Sequence, residues 1–243
     1  MNVVTKDFYS TAELAEVLGI SRIAVFKRIK SGSIKAQKMG RNFVIFKKDI
    51  GSLEVLLSDV FKTAKEWARE GTPFPEEWYC PHSDVFQARL IKMENVMLND
   101  YHAKNIFSLL TSIAGEIGNN SYDHNLGQWP DTPGIFFGYD LKKHHIVLAD
   151  RGIGILKTLQ RVRSELPHHQ EALRVAFTEI ISGRQPEARG NGLKYVRNII
   201  AKYPIHLLFQ TGDAKLALHG RSPDLDIKTA EDDIRGCVAF ITY

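Results

Sequence analysis

The apolar run Ile146-Val147-Leu148-Ala149 ends in Asp150, and two glycines, Gly152 and Gly154, follow with one residue between them. Such a run, bounded by turn residues, reads as a buried strand. The glycines let the backbone approach a flat ligand or a phosphate without Cβ obstruction. A carboxylate at a strand end can accept a hydrogen bond from an exocyclic amine. Any tight turn could produce Asp-x-Gly-x-Gly, so the weight of the motif depends on what accompanies it.

Two further elements do. Glu116, Asn120 and Asp123 stand at i, i+4 and i+7 at the end of an apolar helix beginning near Ile106. That spacing stacks a carboxylate, an amide and a second carboxylate along one helix face, a row able to hold a hydrated divalent cation and a polarised water. It would equally serve as a solvent-facing polar stripe. Gly190-Asn191-Gly192-Leu193 then opens an apolar helix that continues through Ile199 and Ile200, and backbone amides at such a helix start cradle phosphates.

In this order, the region from about residue 100 to 243 resembles the GHKL (Bergerat-fold) ATP-binding domain shared by gyrase and histidine kinases. Glu116-x-x-x-Asn120-x-x-Asp123 is similar to the family's N box, Asp150-x-Gly152-x-Gly154 to its G1 box, and Gly190-x-Gly192-Leu193 to its G2 box. The resemblance implies ATP and Mg²⁺ as cofactors. Asn120, with Glu116, would hold the metal against the phosphates, Asp150 would recognise the adenine amine, and Gly152 and Gly154 would shape the pocket. Glu116 would act as the catalytic base toward water in a hydrolytic member. Residues 155–189 would be a mobile lid with a hinge at Gly183-Arg184-Gln185-Pro186. The sequence departs from the family at Lys194, where many kinases carry glycine, and at Cys237, where a hydroxyl usually assists adenine binding. His102 is too near Glu116 to serve as a phosphoacceptor. His144-His145 and His168-His169 are expected on solvated surface, in a strand turn and in the lid.

The first 50 residues differ in character. They hold ten Lys/Arg against four Asp/Glu, and the rest of the chain holds 22 against 24, so the first segment carries +6 and the remainder −2. A small basic module suggests a nucleic-acid partner. Ser10 with Glu13 three residues on is a capping-box signature, followed by apolar Leu14, Val17 and Leu18 on one helical face. Gly19-Ile20-Ser21 turns the chain into a second helix, Arg22 to Lys30, whose Ile23, Phe26 and Ile29 are expected to face inward. Strands 34–39 and 43–46 then flank a basic Gly40-Arg41-Asn42 turn. Residues 8–50 resemble the winged helix-turn-helix of excisionase and MerR-like proteins. That resemblance would place Arg22, Lys27, Arg28 and Arg41 against duplex DNA; a protein-interaction module with a basic face is the other reading.

Between the two lies a helical stretch, Leu53 to Ala68, that stops at Gly71-Thr72-Pro73-Phe74-Pro75. Cys80-Pro81-His82 lacks a second pair at zinc-like spacing and is read as structural. Trp67, Phe74, Trp78 and Tyr79 are expected to pack the seam between domains. At 44% apolar and 25% charged residues the chain is an ordinary globular one. It has no run of about 18 apolar residues to span a membrane and no secretory leader pattern, so a cytoplasmic protein with two reduced cysteines is expected.

The expected architecture is α+β: a winged helix-turn-helix over 1–50, a helical linker over 51–100, and a GHKL two-layer sandwich over 101–243, with a mixed sheet and helices on one face. Three functions compete: an ATP-gated DNA-binding switch, with homodimerisation one means of gating; an ATPase or a serine or histidine protein kinase acting on a separate protein partner; and an adaptor with a vestigial pocket.

Overall fold

The structure is a computed structural model and describes residues 8–17, 22–30, 34–40, 42–46, 59–100, 103–179 and 192–243, with the backbone alone at 16, 17, 24, 27, 28 and 59. It is of the α+β class, and every pairing among the described strands is antiparallel.

The basic segment forms β1 (Phe8–Ser10), α1 (Thr11–Val17), α2 (Arg22–Lys30), β2 (Gln37–Met39) and β3 (Asn42–Phe46), with the strands ordered β1-β3-β2. The capping box is realised in both directions. The Ser10 amide donates to Glu13 Oε2 at 2.7 Å, and the Glu13 amide donates to Ser10 Oγ at 3.2 Å, which satisfies two amides that a helix start leaves without partners. Leu14, Val25, Ile34 and Ile45 close a small core of their own. In α2 the inward position is Val25, with Phe26 and Ile29 half-buried; Ile23, expected to face inward, is exposed.

The larger unit begins with α3 (Asp59–Glu70), followed by β4 (Tyr79–Cys80), α4 (Ser83–Met97), α5 (Phe107–Asn125), β5 (Ile135–Asp140), β6 (His145–Asp150), α6 (Gly154–Gln160), α7 (His169–Thr178), α8 (Gly192–Ile200), β7 (His206–Leu218) and β8 (Asp226–Thr242). Its five-stranded sheet runs β4-β5-β6-β8-β7. Alternation along each strand divides the side chains between two faces. Ile135, Phe137, Ile146, Leu148, Ala239 and Ile241 join the cluster under α4, α5, α7 and α8, and Phe136, Val147, Ala149, Val238 and Phe240 meet α3 on the other side.

Three expectations change here. The sheet is antiparallel where a mixed one was expected, because β7 and β8 form one long hairpin inserted beside β6. Helices cover both of its faces, because α3 buries Val60, Phe61, Ala64, Trp67 and Ala68 against the far side. Residues 59–97 therefore pack into this unit: α3 lies on the sheet, β4 extends it, and α4 sets Phe86 and Leu90 against Gly118 and Gly115 of α5. The aromatics expected between domains gather instead on Phe136, with Phe74 and Trp78 at ring separations of 4.9 and 5.4 Å.

The expected mobile lid also divides. Residues 180–191, including the hinge stretch, lie outside the described residues, but α6 and α7 belong to the packed structure. Ala172, Leu173, Val175 and Phe177 are fully buried, and the Phe177 ring meets Phe209 edge-on at 5.6 Å. The histidine pairs are not uniformly solvated surface: His145 is 1% exposed and His169 half-buried, whereas His168 is exposed and accepts the Glu171 amide at the start of α7. Among the described residues no helix is long and apolar enough to cross a membrane.

If α7 is core, Phe177→Ala lowers the unfolding free energy by about 3–5 kcal/mol, measurable by chemical denaturation. A change within about 0.5 kcal/mol, the usual range of a surface substitution, would return α7 to a lid.

Candidate functional site

β6 brings its last side chain, Asp150, to the face covered by α5, where the residue is 2% exposed. An ionised carboxylate so deeply buried must be hydrogen-bonded. Ser121 of α5 donates to Oδ2 at 2.7 Å, the Gly152 amide donates to Oδ1 at 2.9 Å, and the Cys237 amide is a third donor. Burial still prevails over these partners and pushes the Asp150 pKa up to about 6 from 3.8.

The turn after Asp150 is fixed by the same helix. Asn125, also buried, accepts the Ile153 amide at 2.9 Å and donates to the Ser121 carbonyl at 2.7 Å. A Cβ at Gly152 would collide with the Asn125 amide, so the space that the sequence reading leaves for a ligand is filled by this chain's own side chain. Gly154 adopts φ +76°, where any other residue is strained. Its neighbour Ile155 donates its amide to Thr211 Oγ1 at 3.3 Å, and that hydroxyl donates to the Gly236 carbonyl at 2.9 Å. Thr211 sits at a register shift between β7 and β8, the kind of irregularity that re-aims a side chain. Thr211 stands opposite Cys237 across the β7–β8 pairing. Burial, with the Asp150 charge second, pushes the Cys237 thiol well above its usual range, which keeps it protonated.

A second junction joins α5 to α8. A Cβ at Gly192 would lie 2.5 Å from Glu116 Oε2 and 3.3 Å from Asn120 Nδ2. The first turn of α8 is therefore set directly against both polar side chains, the Glu116 carboxylate and the Asn120 amide nitrogen. Lys194 Nζ donates to the Glu179 carbonyl, which ties the two ends of the segment 180–191 together. Asp123 lies further along the Glu116 stripe and is exposed, and Leu193 is half-buried against the core. Gly190 lies outside the described residues.

The sequence reading thus finds Glu116, Asn120, Asp150, Gly152, Gly154 and Gly192 on one side of the sheet, around the C-terminal half of α5. It misses Ser121, Asn125 and Thr211. Ser121 and Asn125 sit inside or just beyond the quoted motif at helical spacing and could have been found there; Thr211 carries no local signal.

It misses Arg151 as well. This side chain passes to the opposite face of the sheet and is 7% exposed. Its Nη1 donates to the Trp67 and Ala68 carbonyls at 2.7 and 2.8 Å, and its Nη2 meets Asp131 Oδ2 at 2.6 Å. The guanidinium caps the last turn of α3, where the Trp67 carbonyl also accepts the Gly71 amide at 2.7 Å. The Arg151 bond, ahead of its other contacts, holds the Asp131 carboxyl below its usual range, and Arg235 meets the same carboxylate at 2.7 Å.

In the N-terminal unit Arg22 is exposed at the start of α2. Lys27 and Arg28 lie in α2 with side chains outside the description, as does Arg41 entirely. Set against known proteins, the chain matches no family model, and no curated protein matches it.

The raised pKa of Asp150 gives a signed prediction. The folded state holds this proton more tightly than the unfolded chain, so the group's contribution to stability falls as pH rises from 3.8 to about 6 and stays unfavourable above. Asp150→Asn keeps an acceptor for the amides and removes the charge. Denaturant titrations should find the variant gaining stability relative to the native protein between pH 4 and pH 7. A stability difference that does not change with pH contradicts this.

Proposed function

We propose that the C-terminal unit is a nucleotide-binding domain of the GHKL kind, taking Mg·ATP, and that it controls a winged helix-turn-helix module that binds duplex DNA. The observation that carries the first half is the double junction on α5: Ser121 and Asn125 fix the Asp150 turn, and Glu116 and Asn120 abut the start of α8. A carboxylate has about four acceptor positions; Asp150 uses three within the chain, which leaves one for an exocyclic amine. The first turn of α8 offers amides to a phosphate, and α8 follows Gly190, which the sequence reading places with Gly192 beside the phosphates.

The donor set suits Mg²⁺ delivered with a nucleotide. Among the described residues no cluster of three or more His, Cys, Asp or Glu side chains could hold a metal alone, and Mg²⁺ is usually held by one or two protein oxygens together with substrate phosphates and water. Asn120 Oδ1 and Glu116 are the groups that would hold it; its chemistry there is charge neutralisation on the phosphates. Glu116, with its carboxylate at the start of α8, favours hydrolysis or transfer over simple sensing, as in a slow ATPase or a protein kinase.

For the second half, the basic charge of residues 1–50 and the two helices followed by a β-hairpin support DNA as the ligand. Coupling would run through α3, which follows that module in the chain and is capped by Arg151, the residue next to Asp150.

Calorimetric titration with ATP, with and without Mg²⁺, tests the nucleotide reading. Asp150→Asn should weaken binding by about 1.5–3 kcal/mol, the worth of a hydrogen bond to a charged group. Asn120→Ala should lose the Mg²⁺-dependent part, and Glu116→Ala should bind normally but turn over about 10²–10⁴-fold more slowly if the domain hydrolyses ATP. Equal ATP affinity in native protein and Asp150→Asn contradicts the role of Asp150. Gating also requires that Mg·ATP change DNA affinity by the same factor that DNA changes ATP affinity; gel-shift titrations that are indifferent to nucleotide would leave two independent modules.

A further inference from the structure

Ile23 stands in the first turn of α2 with 69% of its surface exposed. At 3.6 residues per turn, positions 23, 27 and 30 form one stripe, about opposite the buried Val25. The other two positions of that stripe are lysines, of which Lys30 is exposed, as is Arg22 at the helix start. Among the described residues, α2 therefore exposes one large aliphatic side chain, Ile23, together with the cations Arg22 and Lys30. Its module buries, among the described residues, Leu14, Ala15, Val25, Ile34 and Ile45 in a core, and it gains nothing in folding from an isoleucine left in water.

Charge of this sign selects a polyanion, and an aliphatic group in its midst selects one with an apolar point between its charges. The major groove of a duplex admits a helix and presents one such point, the C5-methyl of thymine. In a helix-turn-helix the first residues of the second helix are those that reach base edges, and Ile23 is the second residue of α2.

We propose that Ile23 reads a thymine methyl in the major groove, so that the DNA site recognised by this protein contains at least one thymine required for its methyl group rather than its pairing. This rests on the DNA-binding reading of the N-terminal module and goes beyond it by naming a base. An acidic protein with an apolar notch is the alternative occupant.

The test uses the full chain. Duplexes are selected from a random pool, and each thymine of the selected site is replaced in turn by deoxyuridine, which pairs identically but lacks the methyl. Native protein should lose about three- to fivefold in affinity at one position, the effect of uncovering one methyl-sized group. Ile23→Ala should bind the thymine and uracil forms of that site equally, with an unchanged salt dependence because no phosphate contact is lost. The substitution lies outside the module's core, so folding is preserved. Native protein indifferent to every uracil, or an Ile23→Ala variant that keeps the native preference, overturns the proposal while DNA binding stands. Retention of no duplex at low salt overturns the DNA reading and this inference together.

Discussion

A carboxylate at the end of a central strand, closed off from water, needs donors from several directions at once, and most of the larger unit is arranged to supply them to Asp150. Ser121 comes from α5, the Gly152 amide from the following turn and the Cys237 amide from the neighbouring strand. Each donor has its own support. Asn125 pins the turn to α5, and Thr211 pins the end of that turn to the β7–β8 hairpin. Removing the carboxylate's partners would cost more than the bonds themselves, because a buried polar group left unpaired carries its full desolvation penalty. Helix, turn and hairpin are consequently held in one relative placement, which is what a preformed binding site requires.

The sheet carries this constraint to its other face. Adjacent residues of a strand point to opposite sides, so Asp150 and Arg151 report to different layers: Asp150 to α5 and β8, Arg151 to the end of α3 and to Asp131. Any displacement of the strand end is felt at both. That makes α3 part of the larger unit in mechanical terms and gives the N-terminal module a defined element to follow, since α3 is the first helix described after it.

Local patterns read well where the determining residues are close in sequence. The Ser10–Glu13 capping box, the α5 and α8 helices and the β6 strand into Asp150 all fall where residue type and period place them. Patterns read poorly where a distant side chain decides. Gly152 needs to be glycine because Asn125, remote in sequence, occupies the space beside it, and nothing near Gly152 announces that. Ile23, Phe26 and Ile29 are spaced by three, which drifts around a 3.6-residue helix; among the described residues Val25 is buried and Phe26 and Ile29 half-buried, while Ile23 faces solvent. α7 has the apolar spacing of a core helix, but its place between two glycine motifs makes a lid the simpler expectation. α3 looks like a connector until the far face of the sheet, apolar at Phe136, Val147 and Phe240, is seen to need a cover.

The central claim is that the surroundings of Asp150 and the start of α8 form one nucleotide cradle. Backbone hydrogen exchange of the full chain, followed by mass spectrometry with and without Mg·ATP, locates a ligand without any substitution. The account predicts slowed exchange in peptides covering 116–125, 150–156 and 192–197 together, because one ligand would order all three. Exchange unchanged in all of them at millimolar Mg·ATP, or slowed only in peptides remote from Asp150, would contradict it.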